Sequence, residues 1–138
     1  MILDTSAVLG ILFRETDFEA FERAVADAPI CRISAADFVE ASIVLESRGG
    51  DAVIRQFEAF FREARIQIEP VTAEQALLAR QGYSDYGKGR HPAGLNFGDC
   101  FSYALAKATG EPLLFRGEDF RQTDIQPALL DNRSQNPT

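Results

Sequence analysis

The chain opens on the apolar run Met1-Ile2-Leu3, turns polar at Asp4-Thr5-Ser6, and becomes apolar again from Ala7 to Phe13. That order predicts a short strand, a turn and a helix. Phe18, Phe21, Val25 and Ala28 recur at helical spacing, so an amphipathic helix is expected through about Ala28. The capping box Thr16-x-x-Glu19 would open it, and Pro29 would stop it. Ile30-Cys31-Arg32-Ile33 reads as a second strand, and Ser34 is placed to cap a helix carrying Phe38, Val39, Ile43, Val44 and Leu45. Gly49-Gly50 ends that helix, and another is predicted from about Asp51 to Ala64 on Val53, Phe57, Phe60 and Phe61. The alternation from Ile66 to Val71 predicts a third strand, followed by the capping box Thr72-x-x-Gln75 and a helix to about Gly82.

From Ser84 to Gly94 the glycines, Pro92 and basic residues predict an exposed loop. A helix from Gly98-Asp99 to about Gly110 follows, then a buried strand at Pro112–Phe115, a turn at Gly117-Glu118-Asp119, and a last short strand from Thr123 to Ile125. Strands alternating with helices predict a three-layer α/β/α fold whose central sheet has four to five short, mostly parallel strands. Neither an internal repeat nor an interdomain linker interrupts the pattern. It is read as one domain over residues 1–131 with a polar, frayed tail at 132–138.

Composition narrows the chemistry. The hydrophobic fraction of 46% over 138 residues suits a single core. No apolar run is long enough to span a bilayer, and Asp4 falls where a secretory signal needs apolar residues; a cytoplasmic protein without a membrane partner is expected. Cys31 and Cys100 lie far apart in apolar segments and read as buried free thiols. With His91 the single histidine, a zinc site of histidine and cysteine is set aside, and any metal must be held by oxygen. The net charge of −7 argues against nonspecific DNA wrapping but leaves room for a local basic patch.

In a parallel sheet, ligands bind beyond the carboxyl ends of the strands, so acids there are the first candidates. Asp4 follows the first strand directly, where it can also cap the next helix. Glu40 has Ala36, Ile43 and Val44 as helical neighbours, which argues for an inward-facing carboxylate that needs a partner. Asp99 stands at a helix start, where capping or a dipole contact is the alternative role. Glu118 and Asp119 follow the last buried strand in a turn. Carboxylates gathered at one crevice repel one another unless a cation neutralises them, and oxygen-only ligands suit Mg²⁺, with Mn²⁺ as a substitute. Such a site favours phosphodiester hydrolysis.

Two stretches carry a family resemblance: Met1-Ile2-Leu3-Asp4-Thr5-Ser6-Ala7, and Leu95 through Ala106 with Asn96-Phe97-Gly98-Asp99 at its head. Together with Glu40 and Pro112 to Phe120, they make the chain similar to the VapC branch of the PIN-domain family over nearly its whole length. The resemblance implies a metal-dependent endoribonuclease, the toxin of a toxin–antitoxin pair, silenced by a VapB-like antitoxin, forming a homodimer, and cutting transfer RNA or a ribosomal RNA loop. It implies Asp4 and Asp99 as metal ligands and Glu40 as a further acid. Many relatives carry an aspartate where this chain has Gly117, so the fourth acid falls to Asp119, with Glu118 in reserve.

Thr5, Ser6 and Asn96 are candidate donors that orient the carboxylates, or else helix caps. Lys88, Arg90 and His91 in the loop, with Lys107, Arg116 and Arg121, are candidate RNA contacts, the alternative being a solvated loop. A haloacid-dehalogenase-type phosphatase would need a second aspartate where Ser6 stands. A noncatalytic PIN-like scaffold binding RNA or protein is the remaining alternative.

Overall fold

A computed structural model describes residues 1–130; the polar tail expected at 132–138 lies outside them. Four short strands form one sheet: β1 (Ile2–Leu3), β2 (Arg32–Ser34), β3 (Gln67–Glu69) and β4 (Leu113–Leu114). Their order is β3-β2-β1-β4 and every pairing is parallel. Five helices connect and cover them: α1 (Thr5–Leu12), α2 (Phe18–Asp27), α3 (Ala35–Glu63), α4 (Ala73–Tyr86) and α5 (Phe97–Thr109). The expected α/β/α architecture is the one observed.

The period-two geometry of the strands divides the core. Ile2 and Leu113, paired in register, pack on one face with Leu95, Tyr103 and Leu105 from the α4–α5 side. Leu3, Ile33 and Leu114 point the other way, against Ala7, Val8 and Ile11 of α1 and Leu45 and Phe57 of α3. Both faces are covered at β1 and β4, which is why these two strands read as apolar runs without alternation, whereas the edge strand β3 alternates and is largely exposed. The connection reverses direction at β1: β2 and β3 add on one side, β4 on the other. That switch point opens a crevice at the carboxyl ends of β1 and β4.

Several local expectations hold. Ser34 caps α3 by accepting from the Ala36 N–H at 3.3 Å, and Thr72 caps α4 by accepting from Gln75 at 3.1 Å. The helix break at Gly49-Gly50 is real: α3 is interrupted at Gly50, whose φ of 71° and ψ of −164° are non-helical. Two expectations fail. The box Thr16-x-x-Glu19 does not form; α2 starts after Asp17, which turns left-handed with no side-chain cap, and the Thr16 carbonyl is taken by the Arg116 guanidinium at 2.5 Å. Thr123–Ile125 is not a strand, because residues Asp119–Gln122 coil into a 3₁₀ turn closed by the Thr123 hydroxyl on the Phe120 carbonyl. The extra bridge falls later, between Leu113 and Pro127.

Candidate active site

The crevice is built from the turns that leave the strands. Asp4 follows β1 and is 3% exposed, so its carboxylate depends on internal donors. Oδ2 accepts from the Ser6 N–H at 3.0 Å and the Ser6 hydroxyl at 2.6 Å; Oδ1 meets the Ser102 hydroxyl at 2.5 Å. The two roles weighed for Asp4 therefore coincide, since the bond that caps α1 also holds the carboxylate at the crevice. Ser6 Oγ in turn accepts from the Arg116 N–H at 3.0 Å, tying the turn after β1 to the turn after β4.

One acid was not anticipated. Asp37, one turn before Glu40 on α3, is 0% exposed, and its Oδ2 lies 2.5 Å from the same Ser102 hydroxyl. Its Oδ1 is the one buried side-chain polar atom without a partner among the described residues. Burial first, then the charge of Asp4, pushes the Asp37 carboxyl up to about 9; Ser102 opposes the rise, and Glu40 and Asp99 add to it. Both residues were legible as helical neighbours of acids already chosen: Asp37 is three before Glu40, and Ser102 three after Asp99. Thr5 does not reach a carboxylate; its hydroxyl donates to the Asp37 carbonyl at 3.3 Å.

Glu40 does face the crevice, though not for the reason inferred from its neighbours. Ile43 is 61% exposed and Val39 52%, so its helix face is not uniformly buried. What places Glu40 is the start of α5: a Cβ on Gly98 would strike the Glu40 carboxylate, so that carboxylate lies against the Gly98 backbone. Asp99 sits two residues into α5 after Phe97, locked by a reciprocal capping box. The Asn96 N–H donates to Asp99 Oδ2 at 3.0 Å and the Asp99 N–H to Asn96 Oδ1 at 2.9 Å. Asn96 thus caps α5 and orients Asp99 with one pair of bonds. Burial, then Asp4, pushes Asp99 up to about 7 against the Asn96 backbone bond, with Asp119 and Glu40 adding to the rise. Asp99 feels the charge of Asp119; Glu118 turns instead toward Arg121, 3.8 Å away.

Five acids thus share one locale, and among the described residues no ion pair includes Asp4, Asp37, Glu40, Asp99 or Asp119. No three of the acidic, histidine and cysteine side chains described stand at ligand spacing around one point. The donor set, all oxygen and without a neighbouring cation, fits a hard divalent ion that one or two carboxylates hold while water fills the other positions. Asp4 and Asp99 would be those two. The thiols take no part: Cys31 and Cys100 are buried and free, and burial raises both, Cys100 to about 11.

The basic candidates divide. Arg116 is spoken for: its guanidinium pairs with Glu15 at 3.2 Å, donates to the Thr16 carbonyl and lies over the Phe21 ring. Lys107 pairs with Asp124 at 2.8 Å, and Arg121 donates to the Leu129 carbonyl at 3.1 Å. His91 accepts from the Ala93 N–H. Lys88 and Arg90 are exposed, with Arg90 resting over the Tyr83 ring. Their loop is pinned at its base by Lys88 N–H to the Leu95 carbonyl and Leu95 N–H to the Tyr86 carbonyl, directly before the Asn96–Asp99 box.

A parallel sheet with this switch point and this acidic crevice defines a class. The model of the PIN domain matches residues 1–126, and the chain belongs to the PIN-domain family. Within it, the chain belongs with the VapC ribonucleases. It is 52% identical to a Ribonuclease VapC of Mycolicibacterium smegmatis over 91% of this chain and 97% of that protein. Ribonuclease VapC28 of Mycobacterium tuberculosis is 50% identical over 94% and 98%. The crystal structure of Mycobacterium tuberculosis VapC20, described as a Sarcin-Ricin loop cleaving toxin, superposes with a TM-score of 0.73 at 18% identity, over 90% of this chain and 95% of that one, which bears on the fold.

Proposed function

We propose that the protein is a Mg²⁺- or Mn²⁺-dependent endoribonuclease, the toxin of a VapBC-like pair, acting in the cytoplasm on structured RNA such as transfer RNA or a ribosomal RNA loop. The observation that carries this reading is the crevice itself: five carboxyl groups at the switch point with no counter-cation among the described residues. Asp4 and Asp99 would hold the ion, which when bound polarises a phosphodiester and activates water. Ser6 fixes one edge of Asp4, and Asn96 fixes one edge of Asp99, so neither carboxylate must be ordered when substrate arrives. Glu40 and Asp119 flank that pair as groups able to take a proton from the attacking water or orient it.

Lys88 and Arg90, exposed on a loop anchored beside Asp99, would contact RNA phosphates. Arg116 is better understood as a brace between α1, α2 and the turn after β4. Among the described residues no helix is long and apolar enough to cross a membrane. A homodimer is supported by the apolar face of α4 and α5, where Phe97 is 80% exposed and stacks edge-on with Phe101; a monomer mass in solution would overturn it.

The test is cleavage of structured RNA with and without chelator. Asp4→Asn and Asp99→Asn are each expected to lower the rate by about a hundredfold or more while the fold survives. Cleavage persisting in chelator and in both variants would refute the metal-dependent reading.

A further inference from the structure

The Ser102 hydroxyl stands 2.5 Å from Asp4 Oδ1 and 2.5 Å from Asp37 Oδ2. Two such contacts need two hydrogens, and a serine hydroxyl owns one. If both acids were ionised, one of the contacts would be bare oxygen against oxygen inside a buried site. The second hydrogen must therefore sit on a carboxyl group. Asp4 is the poorer host, because its other oxygen already accepts from the N–H and the hydroxyl of Ser6. Asp37 is the better one: it is wholly buried, and its Oδ1 has no donor, which a neutral carbonyl tolerates far better than a carboxylate.

The other side of Asp4 shows the same construction. There the Arg116 N–H donates to Ser6 Oγ, and Ser6 donates to Asp4 Oδ2. Each hydroxyl that grips Asp4 is thus itself gripped from behind. Ser6 has a backbone amide behind it; Ser102, inside α5, has Asp37.

We propose that Asp37 is a positioning residue for Asp4: as a neutral acid it donates to Ser102 Oγ, and Ser102 donates to Asp4 Oδ1, so that Asp37 acts as a hydrogen-bond donor and not as a fifth metal-binding charge. The proposal rests on the nuclease reading for the role of Asp4, but the hydrogen count does not depend on it. It gives the crevice a second fixed edge on Asp4 without adding negative charge.

The test exploits the amide. Asp37→Asn keeps the shape and supplies an N–H to Ser102, whereas Asp37→Ala removes the donor. Mn²⁺ binding measured by titration calorimetry and RNA cleavage should stay within about threefold of the parent in Asp37→Asn, and fall about tenfold or more in Asp37→Ala and Ser102→Ala. The double variant Asp37→Ala/Ser102→Ala should be no worse than the weaker single one, since the two act in series. An Asn variant as weak as the Ala variant would mean that charge is what counts and would overturn the proposal, as would an Ala variant equal to the parent or losses that simply multiply. Should the unaltered protein neither bind Mn²⁺ nor cut RNA, the nuclease reading fails separately. The relay is then read in the metal-free protein at neutral pH, where an infrared carboxylic-acid band that disappears in Asp37→Asn sustains it and the lack of such a band refutes it.

Discussion

At the scale of single residues, the site depends on close backbone approach as much as on acids. Gly98 leaves room for the Glu40 carboxylate, and its φ is not the reason: a Cβ there would occupy the carboxylate's place. Because the obstructed group is the end of a flexible side chain, Gly98→Ala should move Glu40 and spare the fold. The expected result is a fall in RNA cleavage approaching about a hundredfold with an almost unchanged melting temperature. A variant that cleaves normally would show that Glu40 has no fixed place in the reaction. Sequence reasoning chose Glu40 on the premise of an apolar, inward helix face at Ala36, Ile43 and Val44, yet Ile43 faces solvent. Helical neighbours report burial only when the packing partner of that face is known.

Among the elements, α3 shows what a glycine is for. It runs from Ala35 to Glu63, yet its backbone is broken at Gly50, with φ 71° and ψ −164°, a conformation closed to other residues. A Cβ at Gly50 would meet nothing, so Gly50→Ala carries only the backbone penalty. It should destabilise the protein by about 1–2 kcal/mol after the gain from a stiffer unfolded chain. The shift of the urea midpoint measures this, and an unchanged midpoint would mean the kink is not required. Cap residues illustrate the opposite case. Ser34, Thr72 and Asn96 were readable because a side chain reaching two or three residues along its own chain needs no tertiary partner. Thr16 misled because its carbonyl serves Arg116, a hundred residues away.

For the whole molecule, the crowded acids make stability depend on pH in an unusual direction. Asp37 and Asp99 are raised to about 9 and about 7, far above an unfolded aspartate. Between the unfolded value near 4 and those folded values, the native protein holds protons that the unfolded chain has released. Stability therefore falls as pH rises through that window, with both groups contributing up to about pH 7 and Asp37 alone from there to about pH 9. Glu111 works in the opposite sense: burial resists it, but the amino terminus and Arg32 hold it below the ordinary range, so its contribution is lost only in acid. Metal-free protein should melt at a higher temperature near about pH 5 than near about pH 9. Millimolar Mn²⁺ should restore most at the alkaline end, where the carboxylates are ionised and ready to bind. Thermal melts by circular dichroism decide this; metal-free stability that climbs between those two conditions would mean the acids are not packed as described.

The linear chain by itself determined the alternation of strand and helix, the break at Gly49-Gly50, most of the caps and the acids at element ends. Each of these is set by propensity, periodicity or a hydrogen bond spanning a few residues. Tertiary structure decided the strand order, the burial of Asp37, the junction of Asp4 and Asp37 on Ser102, and the diversion of Arg116 and Lys107 into ion pairs. Those contacts join residues 65 to 101 positions apart, or 17 in the case of Lys107 and Asp124. Side chains so separated meet only when the sheet sets its register, and no local preference along the chain encodes that meeting.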